Sequence, residues 1–196
     1  LGYTRWKGAT TVSNGIGQGE LVATPIQMAN MVAAIANKGF YYTPHIIKAK
    51  SNGATIDSNF TKRRYTSIDA RHFDVVIEGM YDVFENGTAK GARIPHISQC
   101  GKTGTAQNPH GQDHSIFVSF APKEKPKIAL AVIIENGYWG SRWAAPIASL
   151  MTEKYLTDTI TRPSLEKQMI EGNLYQEYRA QHKELYGPQV KFAPNF

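Results

Sequence analysis

The spacing of apolar side chains predicts helices in four parts of the chain. The clearest has four apolar residues at spacings of four, three and four, the pattern of an amphipathic helix: Phe73, Ile77, Met80 and Phe84. Another begins sharply, because Thr24 can cap it, Pro25 suits the first helical position and Gln27 completes a capping box. It is apolar nearly all round, which predicts a buried helix. Two more helices are predicted over residues 143–157 and 164–186.

Runs of small, β-branched and aromatic residues predict the strands. Three of them follow one another with short polar connections, which indicates an antiparallel meander: residues 98–107, 114–122 and 127–135. An earlier run, residues 40–49, predicts a strand that Pro44 confines to an edge or a bulge. Residues 51–62 are polar and predict a hairpin excursion, and residues 13–19 within the Gly-rich start of the chain predict a loop. The chain is thus predicted to be α/β, with an antiparallel sheet packed by helices.

Composition narrows the possible classes of protein. The chain has 196 residues, of which 41% are apolar and 19% charged, enough for one domain with a sizeable core and too apolar for wholesale disorder. Its longest aliphatic run, residues 128–134, is too short to cross a bilayer. The net charge of +6 is scattered and not interleaved with aromatics, so nucleic-acid binding is not predicted. The single cysteine, Cys100, excludes an internal disulfide.

The sequence Gly101-Lys102-Thr103-Gly104-Thr105 is the segment most suggestive of chemistry. A phosphate-binding loop would need a glycine at position 96, which is His96, and a helix directly afterwards, so nucleotide binding is disfavoured. A Lys-Thr-Gly triplet on an edge strand instead suits an extended peptide that adds as a further strand.

Each residue of this triplet and its neighbour has a predicted role. Alternation puts Thr103 and Thr105 on one face, where two hydroxyls can hold a terminal carboxylate that Lys102 attracts. Gly104 leaves room for the ligand backbone, and the amide of Thr105 can donate to an oxyanion. The predicted catalytic residues are therefore Lys102 and Thr105, and the predicted substrate-binding residues are Thr103, Gly104, Thr105 and Gln107.

Further segments occur with this triplet in a characteristic order. They are Ile16-Gly17-Gln18-Gly19-Glu20, Thr24-Pro25-Ile26-Gln27-Met28-Ala29, Ala33 to Gly39, Cys100 to Gln107, His114 to Pro122, Ile128 to Asn136 and Ala144 to Ala148. In these segments the chain resembles the class B penicillin-binding proteins, with spacing similar to that of their elongation-type members. The resemblance covers about residues 13–158.

The resemblance implies a fold and an activity. Residues 1–160 would be the later portion of a transpeptidase domain of the penicillin-binding-protein and serine β-lactamase type, and residues 161–196 a helical extension. The parent protein would be a peptidoglycan D,D-transpeptidase that binds stem peptides ending in D-Ala-D-Ala and is acylated by β-lactams, without metal or cofactor. Its partners would include proteins of the cell-elongation machinery, and it would lie at the periplasmic face of the bacterial inner membrane, with an anchor outside these residues.

The resemblance implies two further motifs, Ser-x-x-Lys with the nucleophilic serine and Ser-x-Asn, both before the segment that begins at Ile16. Neither is found there in this sequence. Only Ser164 has a lysine three positions on, Lys167, and it follows the Lys-Thr-Gly triplet instead of preceding it. It is interpreted as a helix-start residue. No serine has asparagine two positions on. The chain, which begins Leu1-Gly2 without an initiator Met, is therefore expected to be cut from a longer protein and to be inactive alone.

Several alternatives stay open at this point. The same strand could belong to a β-lactamase or a β-lactam sensor, or to a non-catalytic interaction module. Cys100 could be a nucleophile beside His96 or His114, although a small buried residue is the simpler interpretation. His110 and His114 could bind a metal together with Asp113, or the three residues could form a polar hairpin tip. An aromatic group could line a substrate cleft or pack under a helix: Tyr138, Trp139 and Trp143.

Overall fold

The computed structural model describes residues 7–19, 21–47 and 56–179. A three-stranded antiparallel sheet lies at its centre, with helices on both faces. In chain order the elements are α1 (Gly8–Gly15), α2 (Pro25–Ala36), β1 (Phe40–Tyr41), α3 (Ser58–Thr61), β2 (Arg64–Tyr65), α4 (Arg71–Glu85), a 3-10 turn (Lys90–Ala92), β3 (Cys100–Ala106), β4 (His114–Ala121), β5 (Ile128–Ile134), α5 (Ala144–Thr157) and α6 (Pro163–Ile170); residues 174–179 are also helical. In this described part, no helix combines the length and apolarity needed to cross a membrane.

The predicted meander is confirmed. Its strands lie in the order β3-β4-β5, and the register pairs Cys100 with Phe120 and Phe120 with Ala129. Because β4 has a neighbour on each side and helices on both faces, its residues 117–121 are all buried. Their alternation divides the core into two clusters, one on each face of the sheet.

One cluster joins α2 and α4 to the sheet, and the other joins α5. All four residues of the predicted α4 pattern are buried. Three of them pack with Val32 of α2, whereas Phe84 meets Phe117 edge-on in the α5 cluster, with ring centroids 5.6 Å apart. The small side chains Ala144, Ala145 and Ala148 let α5 approach that same face closely.

The capping of α2 is as predicted, but its burial is not. Gln27 Oε1 accepts hydrogen bonds from the backbone N–H and the hydroxyl of Thr24 at 2.8 and 2.9 Å. Only Val32 and Ala34 are buried, while Ile26 and Met31 are 59% and 52% exposed. The prediction of a buried helix was wrong because only one face of α2 packs against the described part of the chain.

Two segments near the start of the chain also differ from their predictions. Residues 13–15 belong to α1, where a loop was predicted from their composition. The predicted strand at 40–49 is only Phe40–Tyr41, paired with Arg64–Tyr65; residues 48–50 lie outside the described part. The polar stretch between these two strands contains one helical turn, α3, in its described part. Asp57 caps this turn, because its carboxylate accepts a 2.8 Å hydrogen bond from the amide of Asn59.

The predicted single helix over 164–186 is interrupted. After α6 the chain breaks at residues 171–173 and becomes helical again at 174; residues 180–186 lie outside the described part. A Cβ at Gly172 would overlap the ring of Trp143, so the break lets the backbone pass directly over this indole. Ser164 does not cap α6, because Arg162 is the N-cap and Pro163 the first helical residue.

A buried ion pair attaches this C-terminal arm, residues 159–179, to α5. Glu153 is 2% exposed and accepts hydrogen bonds from Arg162 at 2.9 and 3.0 Å and from the amide and hydroxyl of Thr161. Burial alone would raise the pKa of Glu153, but these donors outweigh it and lower the pKa below its ordinary value. Arg162 also donates to the carbonyls of Ala92 and Arg93. The arm is thus held to the 3-10 turn as well.

Candidate substrate-binding strand

The first two residues of β3 are buried and fix the strand against β4. Cys100 is fully buried, and its thiol donates to the carbonyl of Ile77 at 3.7 Å. A Cβ at Gly101 would lie 2.5 Å from the Phe117 ring and 2.9 Å from the carbonyl oxygen of Val118. Glycine is therefore required at position 101 for the two strands to approach this closely.

The remainder of the strand is open to solvent. Among the described residues β3 pairs only with β4, so its other edge is free. The register places Thr103 opposite Phe117 and Thr105 opposite Ser115, on the face that α5 covers. This agrees with the predicted alternation. Thr105 is exposed, and the hydroxyl of Thr103 lies 2.9 Å from that of Thr88.

Two side chains contact the free edge. Lys102 is exposed, and its ammonium donates to the carbonyl of Thr103 at 2.7 Å. The carboxamide of Gln18, from the loop after α1, donates to the carbonyl of Thr105 at 3.1 Å across 87 residues of sequence. The structure thus brings the Gly-Gln-Gly and Lys-Thr-Gly segments together. Gln107, just after the strand, is exposed.

The loop between β5 and α5 lies over the face of this strand pair that α5 covers. A Cβ at Gly140 would collide with the backbone of Gly104 and of Ile116, so glycine allows this loop to rest on the sheet itself. The hydroxyl of Ser115 holds the loop by donating to the carbonyl of Trp139 at 2.9 Å. Sequence reasoning missed this role of Gly140, since a glycine in a Gly-rich loop gives no sign of what it will touch.

The three aromatic residues of this loop do not share one role: one packs under a helix and another is open to solvent, as a residue that lines a cleft would be. Trp143 is buried and donates from its indole N–H to Glu177 at 3.1 Å, which is a packing role under the C-terminal arm. Trp139 is 59% exposed and stacks on Tyr138, whose ring is 6.4 Å from that of Tyr178. Only Trp139 is placed to form an open rim.

The alternative chemical sites are not supported by their surroundings. Burial raises the pKa of the Cys100 thiol to about 12, so it is a poor nucleophile. At the predicted hairpin tip, Asp113 accepts from the amide of Asn108 and His114 Nδ1 accepts from the amide of Asn136, which are turn contacts. No group of three or more metal-ligating side chains occurs among the residues that can be described. Ser164 is exposed on α6, outside the sheet.

The geometry of the triplet also decides between its two interpretations. Gly101 to Thr105 form an extended strand followed by a turn at Asn108, with no helix after it, whereas a phosphate-binding loop would lead into one. The fold and this strand are those of a penicillin-recognising transpeptidase. The penicillin binding protein transpeptidase domain matches residues 2–153. The chain belongs to this family.

Two proteins named peptidoglycan D,D-transpeptidases are similar to this chain over most of its length. The peptidoglycan D,D-transpeptidase MrdA of Acinetobacter baumannii is 35% identical over 170 residues, which cover 78% of this chain and 25% of that protein. The peptidoglycan D,D-transpeptidase PbpA of Mycobacterium tuberculosis is 31% identical over 154 residues, 72% of this chain and 31% of that protein. The chain therefore spans between a quarter and a third of the length of these relatives.

Solved structures agree with the fold. PBP2 of Pseudomonas aeruginosa, in complex with WCK 5153, has a TM-score of 0.66 and 39% identity, covering 78% of this chain and 34% of that one. The imipenem acyl-enzyme of penicillin-binding protein A from M. tuberculosis has a TM-score of 0.63 and 29% identity, covering 74% and 33%. PBP2 of Helicobacter pylori, solved in complex with MreC, has a TM-score of 0.63 and 29% identity, covering 76% and 28%.

Proposed function

We propose that the protein containing this chain is a peptidoglycan D,D-transpeptidase, and that this chain supplies the later, substrate-binding part of its catalytic domain. The observation that carries the proposal is the free edge of β3, on which Lys102, Thr103 and Thr105 are accessible. The first two residues of the strand are buried and hold it in place. Relatives named D,D-transpeptidases support the reaction class. In this proposal residues 1–160 belong to the catalytic domain and residues 161–196 form the helical extension.

The proposed substrate is a stem peptide ending in D-Ala-D-Ala. An extended peptide can add to the free edge of β3 through backbone hydrogen bonds. Lys102 attracts its terminal carboxylate, and the hydroxyls of Thr103 and Thr105 bind it. Gly104 leaves room for the peptide backbone, while Gln107 lies just past the strand, where it can contact the next part of the ligand.

The proposed reaction uses a serine in another part of the protein. Its Oγ loses its proton and bonds to the carbonyl carbon of the penultimate D-Ala, and the amide N–H of Thr105 donates to the oxyanion that forms. The C–N bond to the terminal D-Ala then breaks, and that residue leaves as an amine that has gained a proton. An amine of a second stem peptide attacks the ester, loses a proton and releases the serine. No step requires a metal or a cofactor.

Partners and location follow from the relatives and remain part of the proposal. The imipenem acyl-enzyme of the M. tuberculosis relative supports acylation by β-lactams here. The H. pylori PBP2–MreC complex supports binding to proteins of the cell-elongation machinery. A D,D-transpeptidase meets its substrate outside the cytoplasm, so we propose the periplasmic face of the inner membrane, with an anchor outside these residues. The polymer bound would be peptidoglycan, not nucleic acid.

Labelling of the full-length protein with fluorescent penicillin tests the proposal. We expect one covalent label per molecule, formed quickly and released slowly. Lys102→Ala and Thr103→Val should each lower the acylation rate constant by about tenfold or more, because each loses a contact to the ligand carboxylate. The matched control is Lys167→Ala, on an exposed lysine of α6, which should label at the wild-type rate.

Other outcomes of the same assay would identify a different function. Rapid hydrolysis with multiple turnovers would indicate a β-lactamase, and an absence of labelling would indicate an interaction module; either overturns the proposal. The 196-residue chain alone should keep its unmodified mass after incubation with benzylpenicillin. A stoichiometric adduct on Ser164 would make that serine the nucleophile and contradict the proposed arrangement.

A further inference from the structure

Both outward carbonyls in the open part of β3 are already hydrogen-bonded. In an antiparallel pair, alternate residues turn both their N–H and their C=O away from the partner strand. On β3 these are Thr103 and Thr105, because their carbonyls accept from side chains beyond the strand: from Lys102 Nζ at 2.7 Å and from Gln18 Nε2 at 3.1 Å. The free edge is therefore capped by two side-chain donors.

The loop that carries Gln18 is built to hold it there. Gly17 and Gly19 adopt φ values of +80° and +103°, which side chains disfavour, so the chain can turn on both sides of Gln18. The amide of Gln18 donates to the carbonyl of Ser13 at 3.0 Å, and that of Gly17 donates to Asn14 at 3.0 Å. These bonds fix the loop to the end of α1. The contact with Thr105 thus comes from an anchored loop.

A ligand strand would need the same acceptor. A peptide that adds to β3 places its own amide N–H groups on the outward carbonyls, and at Thr105 the carboxamide of Gln18 already donates to that carbonyl. We propose that Gln18 is a displaceable cap on the binding edge, which disfavours ligands that cannot replace its carboxamide with a backbone-type N–H. This inference rests on the proposed function and names a specificity-determining residue for the same strand.

Charge and hydrogen-bond strength explain why the cap can be displaced. The Gln18–Thr105 bond is neutral and exposed, and a ligand amide that replaces it makes an equivalent bond, so the exchange is nearly balanced. A ligand without an N–H at this point would have to leave Gln18 in place and accommodate it. The cap also protects the exposed edge from pairing with other strands, which a free edge would invite.

Two β-lactams that differ at this group provide the test. Benzylpenicillin carries an acylamino N–H beside its ring, whereas imipenem carries a hydroxyethyl group instead. Second-order acylation rate constants would be measured for full-length wild type, Gln18→Ala and Gln18→Asn, whose amide is one methylene shorter. The control is Gln168→Ala, an exposed glutamine on α6. Thermal unfolding of each variant would confirm that it folds.

We expect Gln18→Ala and Gln18→Asn to be acylated by imipenem about two- to tenfold faster than wild type, the range that one neutral hydrogen bond gives, because imipenem has no N–H that replaces the Gln18 bond. Their rate with benzylpenicillin should change less than twofold, because its N–H replaces that bond. An equal decrease with both compounds would mean that Gln18 only supports β3, and no change with either would mean that the contact has no role; both overturn the inference. Wild type that neither compound acylates would refute the proposed function itself, and the inference with it.

Discussion

The two ends of β3 differ in what surrounds them, although they belong to one continuous strand. At Gly101 the backbone is enclosed, since a Cβ would lie 2.5 Å from the Phe117 ring. At Gly104 a Cβ would meet Ile116 at 3.4 Å, an ordinary contact. The enclosed end fixes the position of the strand, and the open end presents its donors and acceptors. A binding edge thus depends on a buried segment only three residues away.

The same contrast separates two ion pairs. Glu153 and Arg162 have side chains that are 2% and 14% exposed, with every contact made inside the fold. Lys123 and Glu78 are also paired, at 2.8 Å, but the Glu78 side chain is 66% exposed. Water stabilises the charge of Glu78 if its partner is lost, whereas Glu153 has only its protein donors. Similar pairs should therefore differ greatly in their contribution to stability.

Glu153→Gln should have the largest effect on stability. The variant leaves the guanidinium of Arg162 without its carboxylate in a site that water barely reaches, which costs about 3 to 5 kcal/mol. Chemical denaturation of the 196-residue chain would measure the loss. The matched control is Glu78→Gln, which should cost less than about 1 kcal/mol because its pair is exposed. Equal losses for the two variants would mean that burial does not decide how much each ion pair stabilises the fold.

Acid should remove the same contribution from the wild type. Because the pKa of Glu153 is lowered in the folded chain, its stabilising effect is complete above the ordinary glutamate pKa and is lost as the pH falls through the lower, folded value. The stability difference between wild type and Glu153→Gln should therefore shrink below about pH 4. Denaturation at pH 7 and at pH 3 would show it. A difference that stays constant would mean that the carboxylate charge is not what stabilises the arm.

Gly101→Ala should have the next largest effect. Its Cβ can displace the Phe117 ring but not the carbonyl of Val118, which belongs to the paired strand. Overpacking of this kind costs about 1 to 3 kcal/mol. Gly79→Ala is the matched control, since a Cβ there meets nothing within 4 Å on the surface of α4 and should stabilise the helix by about 0.5 to 1 kcal/mol. Melting temperatures that move in the same direction would contradict the enclosure of Gly101.

Local pattern was sufficient to predict the central part of the fold. The α4 pattern and the three-strand meander are confirmed, because spacing and short polar connections act within one element or between neighbours. The α1 helix was missed, since its Gly, Ser, Thr and Asn residues have low helix propensity. The amides of Thr10 and Thr11 donate to the carbonyl of Lys7 at the start of this helix, and composition does not indicate these bonds.

Contacts between distant segments could not be predicted in the same way. The bond from Gln18 to Thr105 joins residues 87 positions apart, and no periodicity connects them. Glutamate is almost never fully buried without a partner. The burial of Glu153 therefore depends on Arg162, which lies near it only when the C-terminal arm is folded. The candidate site was predictable as a strand, whereas the loops around it were not.

Gly104→Ala should have the smallest effect on stability and a clear effect on binding. Its Cβ would make an ordinary contact with Ile116, so the unfolding free energy should stay within about 0.5 kcal/mol of wild type. The added methyl group would lie on the strand where we propose that the ligand backbone approaches, and acylation of the full-length protein by benzylpenicillin should slow by about tenfold. Denaturation and stopped-flow acylation on one preparation would separate the two effects. If stability fell as far as in Gly101→Ala, the outer end of β3 would be enclosed like the inner one; an unchanged acylation rate would mean that the ligand does not approach at Gly104.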